Sequence, residues 1–421
     1  MNNNMSKTAV YLLIIFSTLS GSGVYGQIIV PTLETFNMAN SPMPDNTVRC
    51  LLVDNSGDLW IGTDNGLAHL SNNTWEVFNE ANSGLDDNYV RALAVDANNA
   101  IWIGTTLGGV QKFDGITWTD FNTDNSDIPD NFIRTISIDN FGNKWIGTVE
   151  GLVYFDDTNW TTWTMANSPI LTNNISSIAI GHQNEKYIGT INGGLIYMDN
   201  STNFTGIYYI LNSGVPDNSA LTVKIDQVGK PWFAGSAGGL WTDQGSQTWM
   251  AFNWTNSPML TNSLTAMAND DEDNFYLGTQ IHGLMIKRAN QSWGFYNTDN
   301  SDIPEDHVLS IAKDAEDNVW IGTFSKGLVK LREEYLSIDE LSIGQALKVF
   351  PNPVKSNEAV HFNGGIRNPQ ITITSTDSKT VYKERFSTII NSFTLPELKS
   401  GTYLLTVETE SRLEVIRIMV L

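Results

Sequence analysis

The stretch that decides the fold is Trp60-Ile61-Gly62-Thr63, because it recurs along the chain at a nearly fixed interval. The motif returns unchanged at 102–105, 145–148 and 320–323, and weaker forms stand at 187–190, 233–236 and 276–279. The seven glycines of these copies follow one another after 42 to 46 residues. A period of this length is typical of architectures in which each repeat is one supersecondary unit.

The repeat at residues 47–88 predicts four short strands. Turn signals rich in Asp, Asn and Gly stand at 54–57, 64–66 and 72–73. They divide the repeat into apolar segments, which predict strands at 48–53, 59–63, 67–70 and 75–78. The segments are too short for the three-and-four spacing of an amphipathic helix. Four strands repeated seven times predict an all-β fold, a seven-bladed β-propeller with four-stranded blades.

The two ends of the repeat region predict how the ring closes. The last repeat stops after Leu331 and lacks a fourth strand of its own, whereas residues 33–37 carry one ahead of the first repeat. We therefore expect the N-terminal strand, 33–37, to pair with 328–331 and close the last blade. Closure would remove the two exposed sheet edges that an open array leaves.

Composition excludes several classes of protein. The chain of 421 residues has a net charge of -22 and a pI near 4.4, so it should repel nucleic-acid phosphates. Its single cysteine, Cys50, excludes an intramolecular disulfide framework and a cysteine-rich zinc site. Cys50 lies in an apolar run, and we expect it to be a small buried hydrophobic side chain.

The chain divides into three segments. Lys7 followed by the apolar residues 9–19 predicts a secretory signal peptide, residues 1–26, with cleavage near Gly26 and Gln27. Residues 27–335 should form the propeller. Residues 336–421 should form a linker and a small C-terminal β-sandwich, with strands at 370–374, 380–385, 401–408 and 414–420. We expect no transmembrane segment in the mature chain.

The repeat resembles a known family. Residues 54–67 and 139–152 follow the pattern Asp-x-x-Gly-x-x-Trp-Ile-Gly-Thr-x-x-Gly-Leu. This pattern resembles the two-component regulator propeller repeat, and the resemblance implies the propeller fold. In that family such propellers are often extracellular sensor parts of hybrid histidine kinases. No membrane helix or kinase follows the propeller here, so the signalling role is not carried over.

The C-terminal segment resembles the type A sorting domain of the type IX secretion system of Bacteroidota. The matching stretches are 349–353, 398–404 and 417–421, and the residues that carry the sorting signal would be Pro351, Asn352, Pro353, Gly401, Tyr403 and Arg417. The family usually has Lys in place of Arg417. The resemblance implies export through the type IX machinery, recognised by residues 347–421, and a secreted or outer-membrane surface location.

Three arginines are the candidate ligand-binding residues. An Asn-Ser motif opens a polar loop in each repeat, and Arg49, Arg91 and Arg134 follow three such loops by three positions. Three adjacent blades would thus place guanidinium groups at one side of the channel mouth. They could bind an anion or an acidic sugar. Alternatively, they could pair with loop carboxylates, for which the sequence offers Asp45, Asp87 and Asp130.

Other residues that could bind a metal or a ligand give weaker signals. His282 and His307 should lie on the same face, without a third metal ligand. The acidic cluster 270–273 lacks calcium-loop spacing and should be a solvated turn. The tryptophans that recur once per blade should belong to the core: Trp75, Trp118, Trp160, Trp249 and Trp293. We predict no catalytic residue, no metal and no cofactor.

The sequence favours a monomeric interaction module without catalysis, whose unknown glycan or protein ligand meets the loop face. Two alternatives stay open. One is a polysaccharide lyase or glycoside hydrolase with carboxylates in the channel. The other is a detached extracellular sensor that acts through a separate membrane partner. Facing Asp, Glu or His side chains at the channel mouth would favour the enzyme, and a mouth of Asn, Ser, Thr and aliphatic residues would favour binding.

Overall fold

The computed structural model describes residues 27–245, 248–337, 347–375, 379–409 and 413–421. The predicted signal peptide with its cleavage site, and most of the predicted linker, lie outside the described residues. The chain forms two compact units, of which one comprises residues 29–334 and the other includes residues 335–421.

The first unit is built from short strands and one turn of helix, α1 (Ile210–Ser213). In chain order the strands are β1 (Gln27–Phe36), β2 (Val48–Val53), β3 (Leu59–Thr63), β4 (Gly66–Ser71), β5 (Thr74–Phe78), β6 (Val90–Val95), β7 (Ile101–Thr105), β8 (Val110–Phe113), β9 (Trp118–Phe121), β10 (Ile133–Ile138), β11 (Lys144–Thr148), β12 (Leu152–Phe155), β13 (Trp160–Trp163), β14 (Ile175–Ile180), β15 (Lys186–Thr190), β16 (Leu195–Met198), β17 (Phe204–Tyr208), β18 (Ala220–Ile225), β19 (Pro231–Gly235), β20 (Leu240–Asp243), β21 (Trp249–Phe252), β22 (Leu264–Asn269), β23 (Phe275–Thr279), β24 (Leu284–Lys287), β25 (Trp293–Tyr296), β26 (Val308–Lys313), β27 (Asn318–Thr323) and β28 (Leu328–Ser337).

These strands form seven antiparallel sheets of four strands, which are the seven blades predicted from the repeat. Blade 1 is β2-β3-β4-β5, and each following group of four strands is the next blade. The innermost strands, which begin the blades, contact one another in sequence, and β26 of blade 7 contacts β2 of blade 1. They therefore surround a central channel.

The N-terminal strand closes the ring, as predicted. Blade 7 has the strand order β1-β28-β27-β26, so β1 is its outermost strand. Both β1 and β28 are longer than the sequence indicated, since β28 continues into the charged segment after Leu331. Phe36 of β1 lies 5.8 Å from the ring of Trp75 and 6.1 Å from that of Trp320, between blades 1 and 7.

The recurring motif packs at the interfaces between blades. The strand that carries Trp60-Ile61-Gly62-Thr63 is buried throughout. A Cβ on Gly62 would lie 2.7 Å from the side chain of Val90 in blade 2, so the close approach of the two blades requires glycine. Cys50 also packs here; it is half-buried rather than fully buried, and desolvation raises the pKa of its thiol to about 12.

The second unit holds seven further strands in two sheets. They are β29 (Val349–Phe350), β30 (Ala359–Arg367), β31 (Gln370–Ser375), β32 (Thr380–Arg385), β33 (Ile389–Thr394), β34 (Gly401–Glu408) and β35 (Leu413–Val420). One sheet has the order β29-β30-β33 and the other β32-β31-β34-β35. The two sheets share one apolar core, so this is the predicted sandwich; β29, β30 and β33 were not predicted from the sequence.

Candidate binding site at the channel mouth

Seven entry loops surround one end of the channel. We give this name to the segment that joins a fourth strand to the next innermost strand, and all seven loops have eleven residues, from 37–47 to 297–307. The Asn-Ser motif holds each loop in shape. In the first loop Asn40 Nδ2 donates to the carbonyl of Thr35 at 2.8 Å, and Ser41 Oγ donates to the carbonyl of Asn37 at 2.8 Å. As expected, the motif satisfies backbone groups.

A β-bulge opens every innermost strand just after its entry loop. In blade 1 Val48 pairs with Thr63 and Cys50 with Gly62, which leaves Arg49 as the extra residue. The same shift occurs in all seven blades. The residues at the bulge are Arg49, Arg91, Arg134, Ser176, Leu221, Thr265 and Leu309. A bulge re-aims one side chain, so the three arginines predicted as a site occupy the one irregular position of their strands.

Arg49 is neutralised by a carboxylate. Its Nε and Nη2 donate to the two oxygens of Asp64, at 2.7 and 2.6 Å. Asp64 follows the blade's Trp-Ile-Gly-Thr motif at the turn between β3 and β4. This bidentate pair raises the pKa of Arg49.

Arg91 and Arg134 have no carboxylate partner among the described residues. Arg91 Nε donates to Thr106 Oγ1 at 2.8 Å. The guanidinium carbons of Arg91 and Arg134 lie 5.0 and 5.2 Å from the centre of the same ring, that of Phe132. Arg134 Nε is buried and lacks a hydrogen-bond partner. Two guanidinium groups thus share one aromatic ring at the channel mouth.

The electrostatics agree with this geometry. Burial lowers the pKa of Arg91, and the neighbouring charge of Arg49 lowers it further. Burial likewise lowers the pKa of Arg134, with a contribution from Arg91. Because the ordinary pKa of arginine is above 12, both groups stay charged. Adjacent, partly desolvated cations would be stabilised by an anion placed between them.

The predicted loop carboxylates do not pair with the arginines. Asp45, Asp87 and Asp130 each accept a hydrogen bond from the backbone N–H two residues later, at 2.7, 3.1 and 2.6 Å. Asp87 accepts a second bond, from the N–H of Leu107, at 2.6 Å. These aspartates therefore shape the entry loops. The sequence could not place these backbone donors, and a contact of the three aspartates with a ligand stays a prediction.

Aromatic residues complete this side of the mouth. The ring of His307 stacks on that of Phe324 at 4.9 Å, and Arg49 lies 5.8 Å above Phe324. Burial lowers the pKa of His307, and Arg49 lowers it further against the opposing charge of Glu305. His282 was expected on the same face as His307. Among the described residues, the two histidines do not belong to a group of three side chains that could hold a metal ion.

The bulge residues of the other blades differ. Ser176 and Thr265 donate to the carbonyls of Ala220 and Val308 in the next blades, each at 2.5 Å. Beside them Asn174, the last residue of its entry loop, has a buried Oδ1 without a hydrogen-bond donor. At the bulge position the mouth is therefore cationic in blades 1–3 and uncharged in blades 4–7.

Lys224 is a channel residue that we did not predict. It lies on the innermost strand β18, and its side chain is exposed although most neighbouring side chains of that strand are not. Surrounding protein desolvates the amine and lowers its pKa. The signal was present in the repeat alignment, because the other blades have smaller residues there: Leu52, Ala94, Ser137, Ala179, Ala268 and Ala312.

One other group deserves a test as a metal site, at the end of blade 1 opposite the entry loops. Ligand atoms of Asp54, Asp58 and His69 lie within 4.8 Å of one another. Asp54, however, already accepts the indole N–H of Trp60 at 2.9 Å and two backbone N–H groups. In blade 2 Lys112 takes the place of His69, 3.7 Å from the equivalent aspartate. The position thus suits a positively charged side chain better than a metal ion.

The residues proposed as the sorting signal meet in the second unit. Asn352 Nδ2 donates to the carbonyl of Arg417 at 2.7 Å, and its Oδ1 accepts the N–H of Met419 at 2.9 Å. Tyr403 of β34 pairs with Ile418 of β35. The three separate stretches of sequence therefore lie side by side. Pro351, Asn352, Pro353 and Arg417 are exposed.

Comparison with known families confirms both resemblances. The model described as two component regulator propeller matches residues 42–65, 84–106 and 302–325, and that described as secretion system C-terminal sorting domain matches 348–421. The chain thus carries regulator-propeller repeats and a type IX sorting domain. It is a secreted or cell-surface protein that interacts with the secretion machinery. Among the described residues no helix has the length and apolarity needed to cross a membrane.

Solved structures show the same fold. The extracellular domain of a hybrid two component system from B. thetaiotaomicron is 19% identical, with a TM-score of 0.62 over 93% of this chain and 58% of that one. PorZ, an essential surface component of the type IX secretion system of Porphyromonas gingivalis, is 16% identical, with a TM-score of 0.56 over 94% and 62%. This chain therefore spans less than two thirds of either protein.

A smaller protein shares the propeller alone. Virginiamycin B lyase from Staphylococcus aureus is 13% identical, with a TM-score of 0.59 over 72% of this chain and 99% of the lyase. At these identities the likenesses show the fold and leave the activity open. No curated protein matches the sequence.

Proposed function

We propose that this protein is a non-catalytic binding propeller, exported by the type IX system, which holds an acidic group of a glycan or protein at the channel mouth. Residues 27–335 would carry the binding function and residues 336–421 the export function. The observation that supports this most is the pair Arg91 and Arg134, two guanidinium groups for which the described residues offer no carboxylate partner, in a chain of net charge -22.

The chemistry of the mouth favours binding over catalysis. The carboxylates near the arginines are engaged: Asp64 with Arg49, and Asp87 with backbone N–H groups. A general base needs a free carboxylate or imidazole within reach of a bound substrate. The imidazole on this side of the mouth, that of His307, stacks on Phe324 beside Arg49, whereas the proposed ligand is held by the two other arginines. A planar guanidinium fork binds carboxylates in a fixed orientation, and the ring of Phe132 contacts both forks.

The first prediction concerns the anion. The double variant Arg91→Gln/Arg134→Gln should lose at least about tenfold in affinity for acidic ligands, since a charged hydrogen bond contributes about 1.5–3 kcal/mol. Affinity would be measured by biolayer interferometry on the full-length protein. The probes would be uronic-acid oligosaccharides, their neutral counterparts and glutamate-rich peptides. Neutral glycans should bind the two proteins alike.

The matched control removes the third arginine together with its partner. Arg49→Gln/Asp64→Asn leaves the net charge of the mouth unchanged and should retain affinity for the acidic probe. Equal loss in both double variants would contradict the assignment to Arg91 and Arg134. Cleavage of the oligosaccharide during the assay, followed by chromatography, would show an enzyme and overturn the proposal of a non-catalytic module.

A further inference from the structure

The tip of each entry loop, by which we mean its second to tenth residues, stands close to the channel mouth. The second residue of each loop donates its backbone N–H to the side chain of the tenth, at 2.8 Å from Met165 to Asn173 and at 2.9 Å from Trp254 to Asn262. The tenth residue lies three positions before the bulge, or within about 10 Å of it along the chain. This hydrogen bond thus keeps each tip close to the bulge residue of its blade.

Three successive tips carry large apolar side chains. They belong to the loops that enter blades 4, 5 and 6, and their exposed apolar residues form what we call the apolar crescent: Met165, Leu171, Ile210, Leu211, Trp254 and Leu260. Trp254 is 67% exposed and Leu211 88% exposed. Large apolar side chains on one part of a soluble protein's surface mark an interaction site more often than scattered ones do.

Most of the remaining tips are polar. The loops that enter blades 2, 3 and 7 have Glu80, Thr123 and Thr298 at the second position, and Asp124 and Asp299 follow the last two. All seven loops share their length and their Asn-Ser scaffold, so this scaffold does not account for the apolar residues. Two exposed apolar residues lie in the remaining loops: Met38, 56% exposed, in the loop that enters blade 1, and Tyr89, 47% exposed, at the end of the loop that enters blade 2.

The apolar crescent is continuous with the cationic part of the mouth. Arg134 lies on β10, and this strand contacts β14, whose entry loop carries Met165. Asn174, with its unbonded Oδ1, stands between them at the end of that loop. The loop face therefore presents two guanidinium groups at one side and a rigid apolar rim at the other.

This combination fits a polypeptide better than a sugar. Protein interfaces are enriched in Trp, Met and Arg, and their strongest contacts come from Trp, Tyr and Arg. Methionine and leucine offer a sugar ring neither a flat aromatic face nor a hydrogen bond, whereas they pack well against apolar side chains. Because the loops are already held in shape by hydrogen bonds, less conformational entropy is lost on binding.

We infer that the loop face binds a protein segment in which an acidic side chain lies next to large apolar ones. The carboxylate is held by Arg91 and Arg134, and the apolar side chains pack on the crescent around Trp254. This inference rests on the proposed function and names its partner class.

The test is a display library of random peptides selected on the full-length protein. Enriched peptides should combine Asp or Glu with Leu, Phe or Trp. A synthetic enriched peptide, followed by fluorescence anisotropy, should bind at least about tenfold more weakly to Trp254→Ser and to Arg91→Gln/Arg134→Gln, because both would be hot spots. Met38→Ser, at the same loop position two blades away and outside the apolar crescent, should leave the dissociation constant within about twofold.

The outcomes separate the two proposals. Selection of peptides that bind Trp254→Ser as well as the parent would overturn the inference. So would the failure to enrich any peptide when uronic-acid oligosaccharides bind in an arginine-dependent manner, and the proposed function would then stand with a glycan as ligand. If neither kind of probe binds, both proposals fail. Because Trp254 is exposed, its replacement should leave the circular dichroism spectrum unchanged, which verifies the fold.

Discussion

At the scale of single residues, Arg91 and Arg134 differ from Arg49 because the described part of the chain offers them no carboxylate partner. A charge that is partly removed from water without compensation costs stability. Burial lowers the pKa of both arginines, which is the sign of that cost. The double glutamine variant should therefore be no less stable than the parent. Groups that lower the stability of the folded protein, as these two charges do, are typical of functional sites.

The second residue is Lys224, whose desolvated amine should be more reactive than those of ordinary surface lysines. Because the surrounding protein desolvates the amine and lowers its pKa, the amine loses its proton at a lower pH and a larger fraction is nucleophilic near neutrality. Limited acylation with a succinimidyl ester between pH 6 and about 8, followed by peptide mass spectrometry, should label Lys224 at a lower pH than Lys355.

Lys355 is a suitable comparison because its side chain is 70% exposed in the second unit. The Lys224→Gln variant identifies the labelled peptide. Labelling of both lysines with the same pH profile would show that the channel does not desolvate the amine.

At the scale of elements, the turn between the first two strands of a blade explains the family pattern. In blade 3 Asp139 accepts the indole N–H of Trp145 at 3.1 Å and the backbone N–H groups of Phe141 and Asn143 at 3.0 Å each. In the same manner Asp96 binds Trp102 in blade 2. One aspartate therefore closes the turn and anchors the tryptophan that fills the blade interface.

These turns should make the propeller sensitive to acid. Burial works to raise the pKa of Asp139 and of Asp96, but the hydrogen bonds that they accept outweigh it, so both values are lowered. A carboxylate with a lowered pKa in the folded state stabilises fully above its unfolded value of about 3.9 and loses this contribution as the pH falls below it. The free energy of unfolding should thus decrease below about pH 4.

Urea unfolding followed by tryptophan fluorescence measures this effect in the propeller, because all 13 tryptophans lie between residues 60 and 320. The Asp139→Asn variant should be less stable at neutral pH and should lose less stability in acid. A free energy of unfolding that is constant from pH 7 to about 3 would contradict the role of these carboxylates.

At the scale of the whole molecule, the ring is held closed by strands from the two ends of the propeller segment. Ser310 of blade 7 donates to the carbonyl of Val48 in blade 1 at 3.1 Å, and Phe36 packs between the tryptophans of the same two blades. Phe36→Ala should cost about 2–3 kcal/mol of unfolding free energy, toward the low end for phenylalanine because the side chain is half-buried.

Phe121 offers the matched comparison, since it occupies the same place in blade 2 and stacks on Trp102 at 5.8 Å. If β1 is a full member of blade 7, the two alanine variants should lose similar stability in urea. Loss in Phe121→Ala alone would show that the ring does not depend on its N-terminal strand.

The sequence by itself determined the architecture, because that architecture follows from local patterns repeated seven times. A turn of Asp and Gly, a buried Trp-Ile-Gly-Thr strand and an Asn-Ser loop each depend on neighbours within one repeat, so the period alone counts the blades. The same holds for the sorting domain, whose three stretches are readable one at a time. The sequence also showed that Arg49, Arg91 and Arg134 share one position of their repeats, but not that a bulge opens the strand at this position.

Only the tertiary structure decided which of these arginines pairs with a carboxylate. Asp45 is close to Arg49 in sequence and Asp64 is not, yet the geometry of the β3–β4 turn brings Asp64 to the arginine. Phe132 contacts two guanidinium groups because blades 2 and 3 are adjacent in space, and Trp254 and Met165 join one surface because their loops fold back toward the channel. Contacts between blades connect residues about 40 positions apart, and for such pairs local pattern carries no information about direction or distance.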